Sequence, residues 1–227
     1  MPSNARPYVD RQEAGRALAG RLAGYADRRD VAVLALPRGG VPVAVPIAEA
    51  LGAPLDIVVV RKLGLPGQPE LAMGAIAGVN GDVEIIHNQK VLAKAQISEP
   101  DFDVVYRSEL EELRRRESIY RDGRPPTAVR DQVIILVDDG VATGSTVLAA
   151  ITAIRHHKPA RVVVAVPIGS SRACTELERE ADEVVCVQTP SPFYGVGQGY
   201  LDFRQTQDDE VRAALTDASD STGRSPR

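Results

Sequence analysis

Short aliphatic runs separated by helical patterns limit this chain to few architectures. Residues 31–36, 56–60, 133–137, 161–166 and 183–187 are dominated by Val, Leu, Ile and Ala. Between them lie stretches whose apolar residues recur at helical spacing, such as Ala14, Ala17, Leu18, Leu22 and Tyr25 within 10–28, and further stretches at 41–51, 101–120, 145–157 and 170–180. Strands that read as continuous aliphatic runs are strands covered on both faces. Their alternation with helices predicts an α/β architecture, a central parallel β-sheet flanked by helices on both faces. In such sheets ligands bind beyond the carboxyl ends of the strands. Three strand ends carry polar or glycine-rich sequence suited to that: 37–40, Arg61-Lys62 and 138–146.

Local signals fill in the rest. Asp10 is a fitting N-cap, and Gly52 closes the helix at 41–51. Gly64, Pro66, Gly67 and Pro69 predict a loop over 63–71. Residues 74–79 and 83–86 flank Asn80-Gly81-Asp82 and predict a hairpin, followed by a short helix at 89–95. The helix at 101–120 mixes charges on one face and carries Phe102, Val105, Tyr106, Leu110 and Leu113 on the other. A short helix is expected at 208–215. The polar, Ser- and Asp-rich segment 217–227 is expected to be a disordered tail.

Composition excludes several classes. With 27 Lys and Arg against 31 Asp and Glu the net charge is −4, which argues against a nucleic-acid partner needing a basic face. No apolar run approaches the ~20 residues that span a bilayer, and the first residues lack an apolar signal core, so a cytoplasmic protein is expected. Cys174 and Cys186 have the spacing of neither a zinc site nor a redox pair and read as ordinary thiols. His87, His156 and His157 form no metal constellation with them and are expected at the surface.

The chemistry concentrates in 133–146, VIILVDDGVATGST. A run of aliphatic β-formers ends in two adjacent carboxylates, Asp138 and Asp139. Such a pair suits hydroxyl groups and Mg²⁺, which takes oxygen ligands and often bridges carboxylate and phosphate. Gly140, Val141, Ala142, Thr143, Gly144, Ser145 and Thr146 follow, small and rich in hydroxyls, and open a helix N-terminus that can hold an anion. A diol or metal grip beside a phosphate cradle suits a sugar phosphate. A P-loop is excluded because no Lys precedes Ser145, and no G-x-G-x-x-G occurs.

Residues 133–146 resemble the 5-phosphoribosyl-1-pyrophosphate (PRPP) signature of the type I phosphoribosyltransferases, and the βαβ order resembles that family over about 8–203. The resemblance implies the type I phosphoribosyltransferase fold with a hood subdomain, a single domain over 1–216 whose hood comprises about 63–130 plus 190–204. It implies that Asp138 and Asp139 hold the ribose hydroxyls, directly or through Mg²⁺, and that 141–146 hold the 5-phosphate. Arg38, Gly39 and Gly40 occupy the place of the family's pyrophosphate loop, where glycine admits close approach and arginine bonds phosphate. Arg61 and Lys62 resemble the basic start of its mobile catalytic loop, with 63–71 as a lid. RKLGLP at 61–66, PELAMGAI at 69–76, RDGRPP at 121–126 and Phe193-Tyr194 resemble a bacterial PRPP-binding branch of the family.

The function so implied is a Mg²⁺-dependent phosphoribosyltransferase acting on PRPP and a small-molecule acceptor, with pyrophosphate released. The family's 6-oxopurine branch carries an Asp where this chain has Ala142, which argues against hypoxanthine or guanine as acceptor. Phe193, Tyr194 and Tyr200 are aromatics that could stack on a planar acceptor or pack between hood and sheet. Many members are dimers, so the resemblance implies a homodimer. The alternatives are a PRPP-sensing regulator with little or no catalysis, and a phosphosugar hydrolase with water as acceptor.

Overall fold

The computed structural model describes residues 6–95 and 97–222. Its centre is a five-stranded parallel sheet in the order β2-β1-β6-β7-β8. The strands are β1 (Val31–Ala35), β2 (Leu55–Ile57), β6 (Val133–Val137), β7 (Arg161–Ile168) and β8 (Glu183–Gln188). Val31, Val33, Ala35, Val133, Ile135, Val137, Val163 and Ala165 share one core with Leu18 of α1 (Arg11–Arg21), Ile47 and Leu51 of α2 (Gly40–Leu51) and Leu215 of α7 (Asp208–Thr222). The alternate residues Ala32, Leu34, Ile134, Leu136, Val162 and Val164 share a second core with Ala150 and Ile154 of α5 (Ser145–His156) and Leu177 of α6 (Ser171–Leu177). The period of two therefore sends successive aliphatic side chains into opposite layers, and both layers are covered.

The run at 56–60 does not form one strand. β2 ends at Ile57, and β3 (Val59–Leu65) begins a second, antiparallel sheet, β3-β4-β5, with β4 (Gln68–Val79) and β5 (Asp82–His87). At the break the Val58 N–H donates to Ala35 O at 2.9 Å, while Arg121 donates to Ile57 O at 3.2 Å and to Asp56 Oδ1 at 3.0 Å. A side chain from a distant helix thus satisfies the backbone that a continuing ladder would have used. The second sheet begins at Val59, ahead of the hood limit at 63 expected from sequence.

The expected loop at 63–71 is also strand. β3 and β4 pair Leu65 with Gln68, so Pro66-Gly67 is a two-residue turn with Gly67 at φ 79°. The pairing then jumps from Leu65–Gln68 to Gly64–Ala72, and the bulge absorbs Pro69, which has no N–H to give a ladder. Punctuating residues fix a turn and a bulge here, within paired strands. The β4–β5 hairpin forms as expected, with Asn80 and Gly81 both at positive φ.

Two helices follow, α3 (Gln89–Ala95) and α4 (Glu99–Arg121), the latter capped by Ser98. α4 buries Leu113 and Tyr120. Its Arg121 also bonds Glu117 at 2.7 Å, making a buried cluster with Asp56 that joins α4 to β2 of the first sheet. His157, expected at the surface, has a side chain only 11% exposed beside Glu84. α7 overturns part of the expected tail: it continues through Thr222 and buries Ala218, because Val211 and Leu215 pack one face onto the core. Residues 223–227 lie outside the described residues.

Candidate active site

The register of β1 on β6 brings two of the predicted segments together. Ala35 pairs with Val137, and Leu36 N–H donates to Val137 O at 2.9 Å, so 37–40 and 138–140 leave the sheet side by side. The contact is tight. A Cβ on Gly39 would lie 2.0 Å from Asp139 Oδ2, and one on Gly40 would lie 2.7 Å from Val137 O. Only glycine lets the backbone sit against the acidic pair at both positions. Arg38 turns away along this edge, its Nη1 3.6 Å from Asp208 Oδ1, which also accepts from the Tyr120 hydroxyl at 2.6 Å.

β7 supports the loop from its other side. Val141 N–H donates to Ile168 O, Ser170 N–H to Val141 O, and Ser170 Oγ to Ala142 O at 2.7 Å. The chain reaches α5 through Gly144 at φ 76°, and no side chain caps that helix among the described residues. Thr143 and Ser145 are exposed, with their hydroxyl oxygens 3.2 Å apart. The first-turn amides of a twelve-residue helix and these hydroxyls form an open anion cradle.

Within the pair, each carboxylate has one oxygen engaged. Asp138 Oδ1 accepts the Asp139 N–H at 2.9 Å, and Asp139 Oδ2 accepts from Arg11 Nε and Nη2 at 2.8 Å each. Asp138 Oδ2 and Asp139 Oδ1 receive no hydrogen bond from another described residue. Burial, then the charge of Asp139, pushes the Asp138 carboxyl well above the usual carboxylate range. Burial also raises Asp139, and Arg11 offsets part of that. Two free oxygens at a carboxylate pair this short of positive charge are a donor set for hydroxyl hydrogens or for a hard divalent cation. No group of three or more His, Cys, Asp or Glu able to hold a metal occurs among the described residues. The pair therefore fits Mg²⁺ that arrives with a phosphate ligand supplying most of its shell, not a cage built by protein alone.

Arg61 and Lys62 follow Val58 and so leave the same carboxyl edge, but on a strand. Arg61 is held by Glu109 of α4, Nη2 to Oε2 at 2.6 Å, while Lys62 is exposed. Of the three aromatics weighed for stacking, Tyr200 is buried against Phe203 at 5.1 Å and Tyr8 at 5.9 Å, and Phe193 packs in the same cluster. Tyr194 alone of the three is open, at 84% exposure. The Tyr200 hydroxyl instead donates to the Asp139 carbonyl at 2.5 Å.

Sequence reasoning missed Arg11. Its signal was present: an arginine at the first position of a helix opposes the macrodipole and asks for an acidic partner. It also borders a cavity of about 550 Å³ lined by Asp10, Glu49, Arg204, Glu210 and Ala213, to which none of the three predicted strand-end segments contributes.

The fold is an α/β one, with a parallel sheet whose carboxyl edge carries an acidic pair beside an uncapped helix start. The phosphoribosyl transferase domain model matches residues 9–204, and the chain belongs to that family. Two proteins from different strains of Mycobacterium tuberculosis, each provisionally named a phosphoribosyl transferase, are 49% identical over 208 residues, 92% of this chain and 46% of theirs. The chain thus spans about half the length of the curated relatives it matches. The crystal structure of TT1426 from Thermus thermophilus is similar with a TM-score of 0.80 and 40% identity, covering 94% of this chain and 99% of that one. Among the described residues no helix is long and apolar enough to cross a membrane.

Proposed function

We propose that this chain binds PRPP with Mg²⁺ and transfers its ribose 5-phosphate to a small-molecule acceptor, releasing pyrophosphate. The observation that carries the reading is the meeting of Asp138-Asp139, the Gly39-Gly40 turn and the uncapped start of α5 on one sheet edge. The free carboxylate oxygens receive the ribose hydroxyls. The α5 amides with Thr143, Ser145 and Thr146 receive the 5-phosphate. The pyrophosphate lies over Gly39 and Gly40, close to Arg38. Asp138 and Asp139 would hold Mg²⁺, which would supply positive charge against the leaving pyrophosphate.

The bond from the anomeric carbon to pyrophosphate oxygen breaks, and a bond to the acceptor forms. Positive charge grows on the sugar and negative charge on the leaving group. The chain's own task is positioning and electrostatics. Lys62 stands exposed on β3 and is the cation open to the departing group, while Arg38, 3.6 Å from Asp208, reaches it by exchanging that partner for pyrophosphate. Arg61 acts only on release from Glu109.

Calorimetric titration with PRPP, in Mg²⁺ and then in EDTA, tests the reading. Wild type binds in Mg²⁺. The double substitution Asp138→Asn and Asp139→Asn weakens binding by about 100-fold or more in the variant that remains folded, since both carboxylates are lost together. Absence of binding in wild type, or equal affinity in the folded double variant, rejects the reading.

A further inference from the structure

Asp139 is gripped from three sides by elements far apart in the chain. Arg11, the first residue of α1, sends Nε and Nη2 to Oδ2, and its Nη1 donates to Arg204 O at 2.8 Å. Its guanidinium lies over Phe203, 4.1 Å from the ring centre. Tyr200 donates to the Asp139 carbonyl, and Gly39 abuts Oδ2. Arg11 and Asp139 side chains are 11% and 15% exposed. The planar fork commits each of its three nitrogens to this arrangement, so it is not free to turn towards a ligand. Oδ2 is consumed by the protein, and Oδ1 is the oxygen left over.

We propose that Arg11 is a positioning residue for the phosphoribosyl reaction: it pins Asp139 by Oδ2 so that Oδ1 alone meets the ribose hydroxyl or its metal. Phe203 and the Arg204 carbonyl hold Arg11 in turn, which makes segment 200–204 part of the site without touching the substrate. Asp139 is thereby a one-oxygen ligand, unable to chelate through both oxygens. An unpinned carboxylate would rotate about its side-chain torsions and lose that freedom again on binding. This inference rests on the PRPP reading of the preceding section and adds to it a residue that neither the acidic pair nor the loops supply.

The test is PRPP affinity by calorimetry in Mg²⁺ for wild type, Arg11→Met, Arg11→Lys and Phe203→Ala, with melting temperatures alongside. Arg11→Met weakens binding by about tenfold or more, the scale of one lost charge-assisted pair. Arg11→Lys restores part of it, because a point charge can still reach Oδ2. Phe203→Ala, at a ring 38% exposed, keeps the fold and weakens binding by a few-fold. In an Asp139→Asn background, Arg11→Met adds little, since coupled residues are not additive. A structural salt bridge would instead lower stability and leave the affinity of the folded fraction unchanged, or subtract equally in both backgrounds. Either result overturns the proposal while wild-type binding keeps the PRPP reading. Loss of PRPP binding in wild type itself strikes the earlier reading, and this one with it. Should Arg11→Met fail to fold, unchanged affinity in Phe203→Ala together with Arg11→Lys is the overturning result.

Discussion

The two sheets of this molecule share their apolar cores and differ in the charge at their margins. The central sheet is a sandwich of aliphatic layers, with β1, β6 and β7 covered on both faces by helices and scarcely a polar side chain inside. The second sheet shares those layers, with Val59, Leu63, Met73 and Ile76 in one core and Ala77 and Val79 in the other, and adds charge at its margins: Arg61 with Glu109 of α4 and Glu84 beside His156 and His157, while Arg121 ties α4 to Asp56 of β2. Apolar burial is non-directional and builds the frame. Ion pairs are directional and add specific contacts where α4 and α5 meet β2, β3 and β5.

Substituting Arg121→Met should cut deepest. It strands Asp56 and Glu117 without their cation, with a cost of about 3–5 kcal/mol, read as a lower urea midpoint. A loss below about 1 kcal/mol, the scale of an exposed pair, would mean that apolar packing, not charge, seats α4 on β2. Ile135→Ala in β6 removes a fully buried side chain from the central layer and should cost about 3 kcal/mol through the cavity left behind. Its urea slope should stay that of wild type, whereas a changed slope would show the frame coming apart in stages.

Tyr120→Phe is the mildest change and probes the joint between α4 and α7. It deletes the bond to Asp208 at a cost of about 1 kcal/mol near neutral pH. Burial first, and then the Asp208 carboxylate, push the Tyr120 phenol up to about 12 from its ordinary 10.0. The folded state thus holds this proton more tightly than the unfolded chain. Its contribution is fully present below pH 10 and is lost as pH rises from about 10 through about 12. Thermal melts across that window should fall less steeply for the phenylalanine variant, and identical slopes would remove Tyr120 from the joint.

Much of the fold and part of the site could be read before any coordinates. Residues 133–137 are β6 without adjustment, and Asp10 caps α1 by accepting the Glu13 N–H as expected. Gly39 lies beside Asp139 because β1 pairs with β6 and Val31 is in register with Val133, an adjacency no local signal specifies. Residues 63–71 misled because Gly and Pro mark a change of direction without saying whether strands continue on either side. Residues 56–60 misled because their aliphatic run is continuous while the backbone's partners change at Val58.

The order of amino acids was enough to set the alternation of elements, the burial of the central strands on both faces, and the strand-end segment bearing the acidic pair and the anion cradle. These are local properties, governed by a period of two or 3.6 and by caps and turns within a few residues. Long-range packing was needed to bring Arg11 to Asp139 across 128 positions, and to close the gap after Asp56 with Arg121. It also placed Cys174 and Cys186 on either side of Gly169, where a Cβ would lie 2.7 Å and 3.2 Å from their sulfurs. A buried charge takes whatever opposite charge the packing brings within reach, since leaving it unpaired costs far more than either partner's local preference. Which faces meet is settled by the whole core, and no short stretch of sequence contains it.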